Sequence, residues 1–389
     1  MYDRIIDIQL PQGQAAFLWG PRQIGKTTLL QTRFKDSLWL DMLDSHTFMT
    51  LSRRPGLLRE WIAAATPEQL RKPIIIDEVQ KLPILLDEVH WLIVNRKLSF
   101  LLCGSSARKL LRGHGNLLGG RAWRYEMFPL VSAEVPDLDL LRALTHGLMP
   151  AYYQTARPDR SLISFVRDYL RQEIAEEAHA RNLAAFAKFL DLVGIMNGEL
   201  VNYAKIASAV GVDAKSVRSY FSILEDTLLG TFLDPLSSRK GGCKQLSATP
   251  KFYLFDSGVA RILRNTALRA VAGPEAGHLF ETFMMNELRA FLSYRESNLP
   301  MNFYRTRDGA EVDFVIDKGA IAVEAKISDN VRTADLRSLT SFLGEYPKAK
   351  AIVVCLEERK RVIDLHGRTV EIHPWRVFCE ELWAGKIIV

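Results

Sequence analysis

A glycine-rich segment near the amino terminus, residues 20–27, has the residue types and spacing needed to bind phosphate. It matches the pattern G-x-x-x-x-G-K-[ST]. Its glycines let the backbone curl so that successive N–H groups point at phosphate oxygens. Lys26 supplies a point charge for the phosphates, and Thr27 offers its hydroxyl to Mg²⁺. We therefore assign nucleotide contacts to Gly20, Pro21, Arg22, Gln23, Ile24, Gly25, Lys26, Thr27 and Thr28.

The residues on either side of this loop predict the context that the motif needs. Ala15–Trp19 is an apolar run typical of a short buried strand, and Thr28–Gln31 is expected to form the first turn of a helix. The positive end of that helix dipole would strengthen phosphate binding. The alternative is a chance match in an ordinary glycine-containing turn, which the strand before it and the helix after it disfavour.

Two acids follow a second apolar run, Ile74–Ile76, which predicts a second buried parallel strand. An acid at the carboxyl end of a strand beside the phosphate loop can hold the water shell of Mg²⁺, and we assign Asp77 to that role. The next acid can polarise a water for attack on the γ-phosphate, and we assign Glu78 to this catalytic role. The alternative is an ordinary strand that ends in solvated acids. The phosphate-binding motif upstream disfavours this alternative.

A third strand, Leu98–Cys103, is followed by Gly104, Ser105 and Ser106. Small polar residues at the end of a strand between the other two would sense the γ-phosphate or orient the water. We choose Ser105 for this role, with Ser106 next to it. Turn chemistry at a helix N-cap explains Gly-Ser-Ser equally well, so both interpretations stay open.

A basic, glycine-rich segment comes next, and its arginines are candidates to neutralise charge on a transferring phosphoryl group, often across a subunit boundary. Arg121 follows two glycines and is the best candidate, and an ordinary surface arginine is the alternative. The other members of the segment are Arg108, Lys109, Arg112, Gly113, Gly115, Gly119, Gly120 and Arg124.

Together these motifs resemble the AAA-type ATPases of prokaryotes, and most of all the group that carries a C-terminal domain of unknown function. The resemblance rests on Gly20–Thr27, Ile74–Glu78, Gly104–Ser106, Gly120–Arg121 and Phe128–Leu130. It implies binding and hydrolysis of ATP with Mg²⁺ and a ring or other homo-oligomer. The dipeptide Val79-Gln80 after the two acids also fits the family pattern. No second arginine sensor is assigned.

Composition sets the general class. The chain of 389 residues is long enough for about two or three domains. Hydrophobic content of 48% and charged content of 25% are those of a soluble globular protein, and no apolar run is long enough to span a membrane. Four scattered cysteines and the lack of an apolar signal core predict a reducing, cytoplasmic location. The net charge of +6 permits a polyanionic partner without establishing one.

Residues 132–193 have a helical character and are expected to form a lid or connector without chemistry of its own. An apolar stripe at helical spacing supports this interpretation. The stripe consists of Leu162, Phe165, Val166, Tyr169, Leu170 and Ile174.

Residues 194–245 predict two short helices, Tyr203–Val210 and Ala214–Leu224, joined by the turn Gly211–Asp213 and followed by an extended segment. This order resembles a winged helix-turn-helix, in which the second helix enters a DNA groove. A winged helix used only for packing or protein contact is the alternative. The basic loop Ser237–Lys244 would be the wing or a linker. The residues expected to face DNA are Lys215, Ser216, Arg218 and Ser219.

Residues 246–389 predict an α/β domain that begins with a strand at Lys251–Asp256 and contains the hairpin Glu311–Ile316 and Ile321–Lys326. Since side chains alternate along a strand, Asp313 points away from the core, and Glu324 and Lys326 share one face. If the two strands pair, these side chains converge. The two acids could then coordinate one or two Mg²⁺ or Mn²⁺ ions, with the lysine positioning the attacking water.

This arrangement of acids and lysine resembles the PD-(D/E)XK nuclease superfamily, in which a glutamate on the preceding helix often completes the site. Glu281, on the predicted helix Gly277–Leu292, matches that glutamate, whereas the usual proline before the aspartate is absent. The resemblance implies catalytic roles for Glu281, Asp313, Glu324 and Lys326. A half-buried sheet with solvated charges on its outer face is the alternative. A helix at Leu336–Leu343, a strand at Ala351–Leu356 and a β-rich tail are expected to complete the domain.

The sequence thus predicts an α/β protein with an ATPase domain at 1–131, a helical connector at 132–193, a winged helix at 194–245 and a nuclease-like domain at 246–389. The predicted function is ATP hydrolysis coupled to binding and metal-dependent cleavage of a nucleic acid, most simply DNA. One alternative is a DNA-binding or remodelling ATPase whose nuclease-like domain is inactive. The other is an ATP-dependent switch that recruits protein partners.

Overall fold

The computed structural model describes residues 2–105, 118–173, 182–237 and 248–388. The chain divides into two compact units, one made mainly of Asp3–Phe128 with Asp226–Leu228, the other of Pro129–Glu225 with Leu229–Val389. None of the helices in the described ranges is long and apolar enough to span a membrane. Several sequence features lie outside the described residues, namely Ser106, Arg108, Lys109, Arg112, Gly113, Gly115, the side chain of Leu170, Ile174 and Ser238–Lys244.

The first unit is built on a five-stranded parallel sheet with the strand order β2-β3-β4-β1-β5. The three central strands are buried along their whole length, which explains why their sequences are almost continuously apolar. The edge strands β2 and β5 were not predicted, because one is only three residues long and the other alternates with charged residues. The strands are β1 Ala15–Trp19, β2 Trp39–Asp41, β3 Ile74–Asp77, β4 Phe100–Gly104 and β5 Ala122–Glu126.

Helices cover this sheet, and the first of them begins at Lys26, within the glycine-rich segment. The helices are α1 Lys26–Arg33, α2 Ser45–Arg53, α3 Leu57–Ala63, α4 Pro67–Leu70 and α5 Leu85–Arg96, with short 3₁₀ turns at Val79–Lys81 and Leu118–Gly120. Apolar side chains from the helices and the sheet form one core. Strand β4 lies between β1 and β3, which is the position predicted for the strand that ends just before Ser105.

The second unit starts with helices. These are a 3₁₀ turn at Ser132–Glu134, α6 Leu140–His146, α7 Pro150–Tyr153, α8 Pro158–Ser164, a π-helical segment Phe165–Glu173 and α9 Leu183–Ile195. The helices predicted next are confirmed as α10 Tyr203–Val210 and α11 Ala214–Asp226. Gly211, at φ 80°, ends α10, and the Asp213 carboxylate caps α11 by accepting a 2.8 Å hydrogen bond from Ser216 N.

A two-stranded antiparallel sheet follows, formed by β6 Gly230–Leu233 and β7 Lys251–Leu254. The ring of Phe252 on β7 lies 5.1 Å from the ring of Phe232 on β6. It also packs on α11, where it lies 4.8 Å from the ring of Phe221. The strand at Lys251, which the sequence places at the start of the C-terminal domain, therefore pairs with β6.

The remaining strands form a six-stranded mixed sheet of order β12-β13-β11-β10-β9-β8. Strands β9 and β10 pair as the predicted antiparallel hairpin, with Val323 opposite Phe314. The tail is not wholly β-rich as expected, because it ends in a helix. The elements are α12 Ser257–Arg264, α13 Gly273–Tyr294, β8 Met301–Arg305, β9 Glu311–Ile316, β10 Ile321–Ala325, α14 Arg337–Glu345, β11 Lys350–Cys355, β12 Arg361–Asp364, β13 Thr369–Pro374 and α15 Trp375–Trp383.

A buried carboxylate, Glu287 of α13, ties three parts of the second unit together. It accepts hydrogen bonds from Ser132 N at 2.6 Å, Ser132 Oγ at 2.7 Å and Trp383 Nε1 at 2.7 Å. Burial raises the pKa of Glu287 to about 7, against the opposing effect of these donors. The long helix is thereby joined to the start of the unit and to its last helix.

We expect Glu287→Ala to lower the free energy of unfolding by about 3 kcal/mol, because it leaves three donors without their acceptor in a buried place. The matched control is Glu275→Ala on the same helix, which removes the partly exposed pair with Arg264 and should cost less than about 1 kcal/mol. Urea denaturation followed by circular dichroism measures both. Equal losses in the two variants would show that Glu287 does not hold these elements together.

Candidate functional site

The glycine-rich loop joins the carboxyl end of β1 to α1 and has the backbone of a phosphate-binding loop. Gln23, at φ 65°, and Gly25, at φ 90°, are in the left-handed region. A Cβ at Gly20 would lie 2.6 Å from Met127 O, so only glycine fits there. Among the described residues, no side chain caps the amino terminus of α1, which leaves that end of the helix for an anion.

The Lys26 ammonium lies inside this loop. Only 6% of the residue is exposed, and its Nζ donates hydrogen bonds to Gly20 O at 2.7 Å and Pro21 O at 2.8 Å. Burial lowers the pKa of Lys26, and the nearby carboxylates of Asp77 and Glu78 oppose that shift. Since an ammonium has three donors, one remains for a phosphate oxygen.

Thr27 and Asp77, the two residues predicted to share a magnesium ion, are in direct contact. Thr27 Oγ1 donates a 2.8 Å hydrogen bond to Asp77 Oδ2, and Asp77 Oδ1 accepts one of 3.0 Å from Glu78 N. Asp77 is 3% exposed at the carboxyl end of β3. A hydroxyl and a carboxylate are the oxygen ligands that Mg²⁺ prefers, so this pair fits the ion.

Glu78 and Ser105 are linked through a residue that the sequence analysis did not assign a role. Gln80 Nε2 donates one hydrogen bond to the Glu78 carboxylate and another, of 3.1 Å, to Ser105 Oγ. Gln80 and Ser105 are each 2% exposed. The signals in the sequence were the fit of Val79-Gln80 to the family pattern and the position of Gln80 two residues after Glu78, at the short turn that follows β3.

Arg121 is not brought to the phosphate loop of its own chain. Its carbonyl accepts a 2.9 Å hydrogen bond from Ala15 N, and its side chain is exposed. Both residues stand at the amino ends of parallel strands, whereas the loop follows the carboxyl end of β1, about 16 Å away along a five-residue strand. A role for Arg121 across a subunit boundary stays a prediction.

The residues predicted to face DNA lie along α11. Lys215, Arg218 and Ser219 are exposed. Ser216 is half-buried and occupied with the helix cap, since its hydroxyl donates a 2.9 Å hydrogen bond to Asp213 Oδ2. The Arg218 guanidinium lies 5.1 Å from the centre of the Tyr203 ring, which orients it along the helix surface.

The predicted acids of the second unit meet on one face of the six-stranded sheet. Asp313 Oδ2 accepts a 2.8 Å hydrogen bond from Ala325 N, and Lys326 Nζ lies 3.0 Å from Glu324 Oε1. Glu324 Oε2 is buried and has no hydrogen-bond partner among the described residues. Burial and mutual repulsion raise the pKa of Asp313 well above its usual range, and burial raises that of Glu324.

Lys251 of β7 completes this acidic cluster and was missed by the sequence analysis. Its Nζ lies 3.0 Å from Glu281 Oε1 and 2.5 Å from Glu311 Oε1, and the residue is 2% exposed. Burial acts to lower the pKa of Lys251, but the facing Tyr253 and the carboxylates raise it well above its ordinary value. A lysine in an otherwise apolar strand, Lys-Phe-Tyr-Leu-Phe, was the available signal.

The structure therefore brings Asp313, Glu324 and Lys326 together. Glu281 of α13 lies close enough that its charge helps raise the pKa of both Asp313 and Glu324, and it also accepts a hydrogen bond from Tyr253 Oη. In the part of the chain that the structure describes, no three acids, histidines or cysteines are arranged to hold a metal ion. The unpartnered Glu324 Oε2 is the atom that best fits a cation, with Asp313 beside it.

Comparisons with known proteins divide the chain into three. Residues 12–135 match the model of an AAA domain, and residues 137–269 and 276–375 match two models of domains of unknown function, DUF8612 and DUF4143. The last two models assign no activity. No curated protein matches the chain.

Two solved structures are similar at low identity. The Orc1 protein of Aeropyrum pernix, solved in complex with DNA, is 16% identical, with 65% of this chain and 85% of that chain covered and a TM-score of 0.26. A signal transduction ATPase with a tetratricopeptide repeat sensor from Pyrococcus horikoshii is 14% identical, with 73% and 46% covered and a TM-score of 0.21. Likeness at this level says nothing about function. Residues 12–135 are thus similar to an AAA domain, and the phosphate-binding loop and the Thr27–Asp77 pair both lie within this range.

Proposed function

We propose that the first unit hydrolyses ATP with Mg²⁺. The observation that carries this proposal is the hydrogen bond between Thr27 and Asp77, formed beside the buried ammonium of Lys26. It places the last residue of the phosphate loop against the acid at the end of β3, which is the pairing that a nucleotide-bound magnesium ion requires.

Each residue of this site has a task in the proposed reaction. The loop amides and Lys26 bind the phosphates, and Thr27 and Asp77 would hold Mg²⁺, which when bound neutralises charge on the phosphate oxygens. Glu78 orients and polarises the attacking water, and Ser105 at the end of β4 contacts the γ-phosphate or that water.

Lys26→Ala is expected to reduce ATP hydrolysis by about 100-fold or more, because the loop loses its only ammonium at the phosphates. Phosphate release with Mg²⁺ and ATP measures this effect, and circular dichroism checks that the fold is intact. The control is Lys72→Ala, which removes an exposed pair with Asp36 in the same unit and should hydrolyse ATP like the wild type. Full turnover in Lys26→Ala would overturn the ATPase proposal.

We further propose that nucleotide hydrolysis is coupled to nucleic-acid binding through α11, most simply to DNA, in a homo-oligomer. The exposed Lys215 and Arg218 on one helix, after a capped turn, support a phosphate-contacting surface. A protein-recruiting switch is the competing function, and stimulation of ATP turnover by DNA separates the two.

Replacing Lys215 and Arg218 together by alanine should weaken DNA binding by about tenfold and flatten its salt dependence, because two phosphate contacts are lost. Fluorescence anisotropy with a labelled duplex and a labelled single strand, each at two salt concentrations, measures this. Lys205→Ala on α10 is the control, since that lysine is exposed on the first helix. Unchanged affinity in the double variant would remove α11 from the binding surface.

Metal-dependent cleavage of a phosphodiester is a second candidate function, favoured by the buried, unpartnered Glu324 Oε2 beside Asp313. Asp313 and Glu324 would hold one Mg²⁺ or Mn²⁺, which when bound stabilises charge on the phosphorus oxygens. Lys326 would position the water. Lys251 and Arg305 together already neutralise Glu281 and Glu311, so Asp313 and Glu324 leave the cluster with charge for about one divalent ion rather than two.

Asp313→Ala should abolish cleavage of DNA in Mn²⁺ while leaving ATP turnover unchanged, because one of the two proposed ligands is removed. The control is Asp308→Ala, in the exposed turn before β9. A gel assay on single- and double-stranded DNA, with and without ATP, gives the readout. Uncut DNA with the wild-type protein would favour the alternative in which the cluster is inactive and the protein binds or remodels DNA.

A further inference from the structure

Gln80 is a buried polar side chain that lies between the two ends of the proposed hydrolytic site. It follows β3 on the short 3₁₀ turn Val79–Lys81, and only 2% of it is exposed. Its Nε2 donates to the carboxylate of Glu78 and to Ser105 Oγ. A single amide thus joins the proposed base on β3 to the proposed sensor on β4.

The orientation of the Gln80 amide is fixed by chemistry. The Glu78 carboxylate is an acceptor only, so the amide nitrogen and not its oxygen must face it. The amide oxygen Oε1 then points the other way, where it is buried and has no hydrogen-bond partner among the described residues. A buried amide oxygen without a partner is costly, so packing alone does not explain a glutamine here.

Gly104 leaves the space that this amide occupies. A Cβ at Gly104 would lie 2.2 Å from Gln80 Oε1 and 2.8 Å from the Trp19 ring, so a larger residue would displace the amide. Gly104 is the last residue of β4, directly before Ser105. The strand end beside the phosphate loop is therefore shaped to hold Gln80 in this position.

Glu78 itself needs an external constraint. Its backbone is in the left-handed region, at φ 54°, and its side chain is only partly buried. A glutamate with free side-chain rotation spends little time aimed at one water, and a hydrogen bond from a fixed donor restricts it.

We propose that Gln80 is the positioning residue of the hydrolytic site, which aims the Glu78 carboxylate and couples it to Ser105. This inference rests on the proposed ATP hydrolysis. Any movement of Ser105 caused by the γ-phosphate is transmitted through this amide to the Glu78 carboxylate.

The test compares Gln80→Met with the wild-type full-length chain. Methionine has similar length and removes both donors, so kcat should fall by about 30-fold, whereas the Kd for a non-hydrolysable ATP analogue with Mg²⁺ should change by less than about threefold. Gln80→Glu, which is isosteric but repels Glu78, should give the same split. If the methionine variant does not fold, kcat and Kd of this glutamate variant test the proposal instead. Gln69→Met, at the exposed capping box of α4, is the matched control and should retain wild-type kcat.

A double-mutant cycle separates positioning from a purely structural role. Because Gln80 acts through Glu78, the variant carrying both Glu78→Gln and Gln80→Met should be no slower than Glu78→Gln alone. Wild-type kcat in Gln80→Met, losses that multiply in the double variant, or a parallel loss of nucleotide affinity would each overturn the inference. A wild-type protein that binds but does not hydrolyse ATP would instead overturn the proposed function, so the two failures are distinguishable.

Discussion

The hydrogen bond between Thr27 and Asp77 is the contact on which the first unit depends. It joins the end of the phosphate loop to the end of β3, two segments about 50 residues apart in the chain. Parallel strands all present their carboxyl ends at one edge of the sheet, so this edge collects the loop, the acids and Ser105. The glycine at position 20, where a Cβ would meet Met127 O, keeps the loop against that edge.

The second unit faces a different electrostatic constraint. Glu311, Asp313 and Glu324 of the sheet and Glu281 of α13 lie close together, and their mutual repulsion must be balanced from within the protein. Lys251 and Lys326 supply this balance, and Arg305 adds an ion pair to Glu311. These positive side chains stabilise the acids but leave little negative charge for a metal ion. Glu324 Oε2 has no hydrogen-bond partner among the described residues, so binding of a cation there would distinguish a catalytic cluster from a structural one.

Much of the fold could be predicted from the sequence because its signals are local. The runs around Ile74 and Val312 have the burial and alternation that their patterns indicate, and the caps of α10 and α11 follow from Gly211 and Asp213. The strand β2, with three residues, carried too little pattern to be found.

What could not be predicted depends on contacts between distant segments. Lys251 enters the acidic cluster because β7 pairs with β6, a partnership that no local pattern encodes. Gln80 meets Ser105 only once β3 and β4 are neighbours, and Arg121 is kept from its own loop by the direction of β5. Proximity in the sequence suggested functional roles, but strand order decided which of these residues meet.

Calorimetric titration of ATP with Mg²⁺ into the full-length protein and into Thr27→Ala tests the central claim most directly. The account predicts saturable heat at one site per chain for the wild type, and loss of the magnesium-dependent part of that heat in the variant. No heat of binding with the wild-type protein, or identical magnesium dependence in the two, would contradict it.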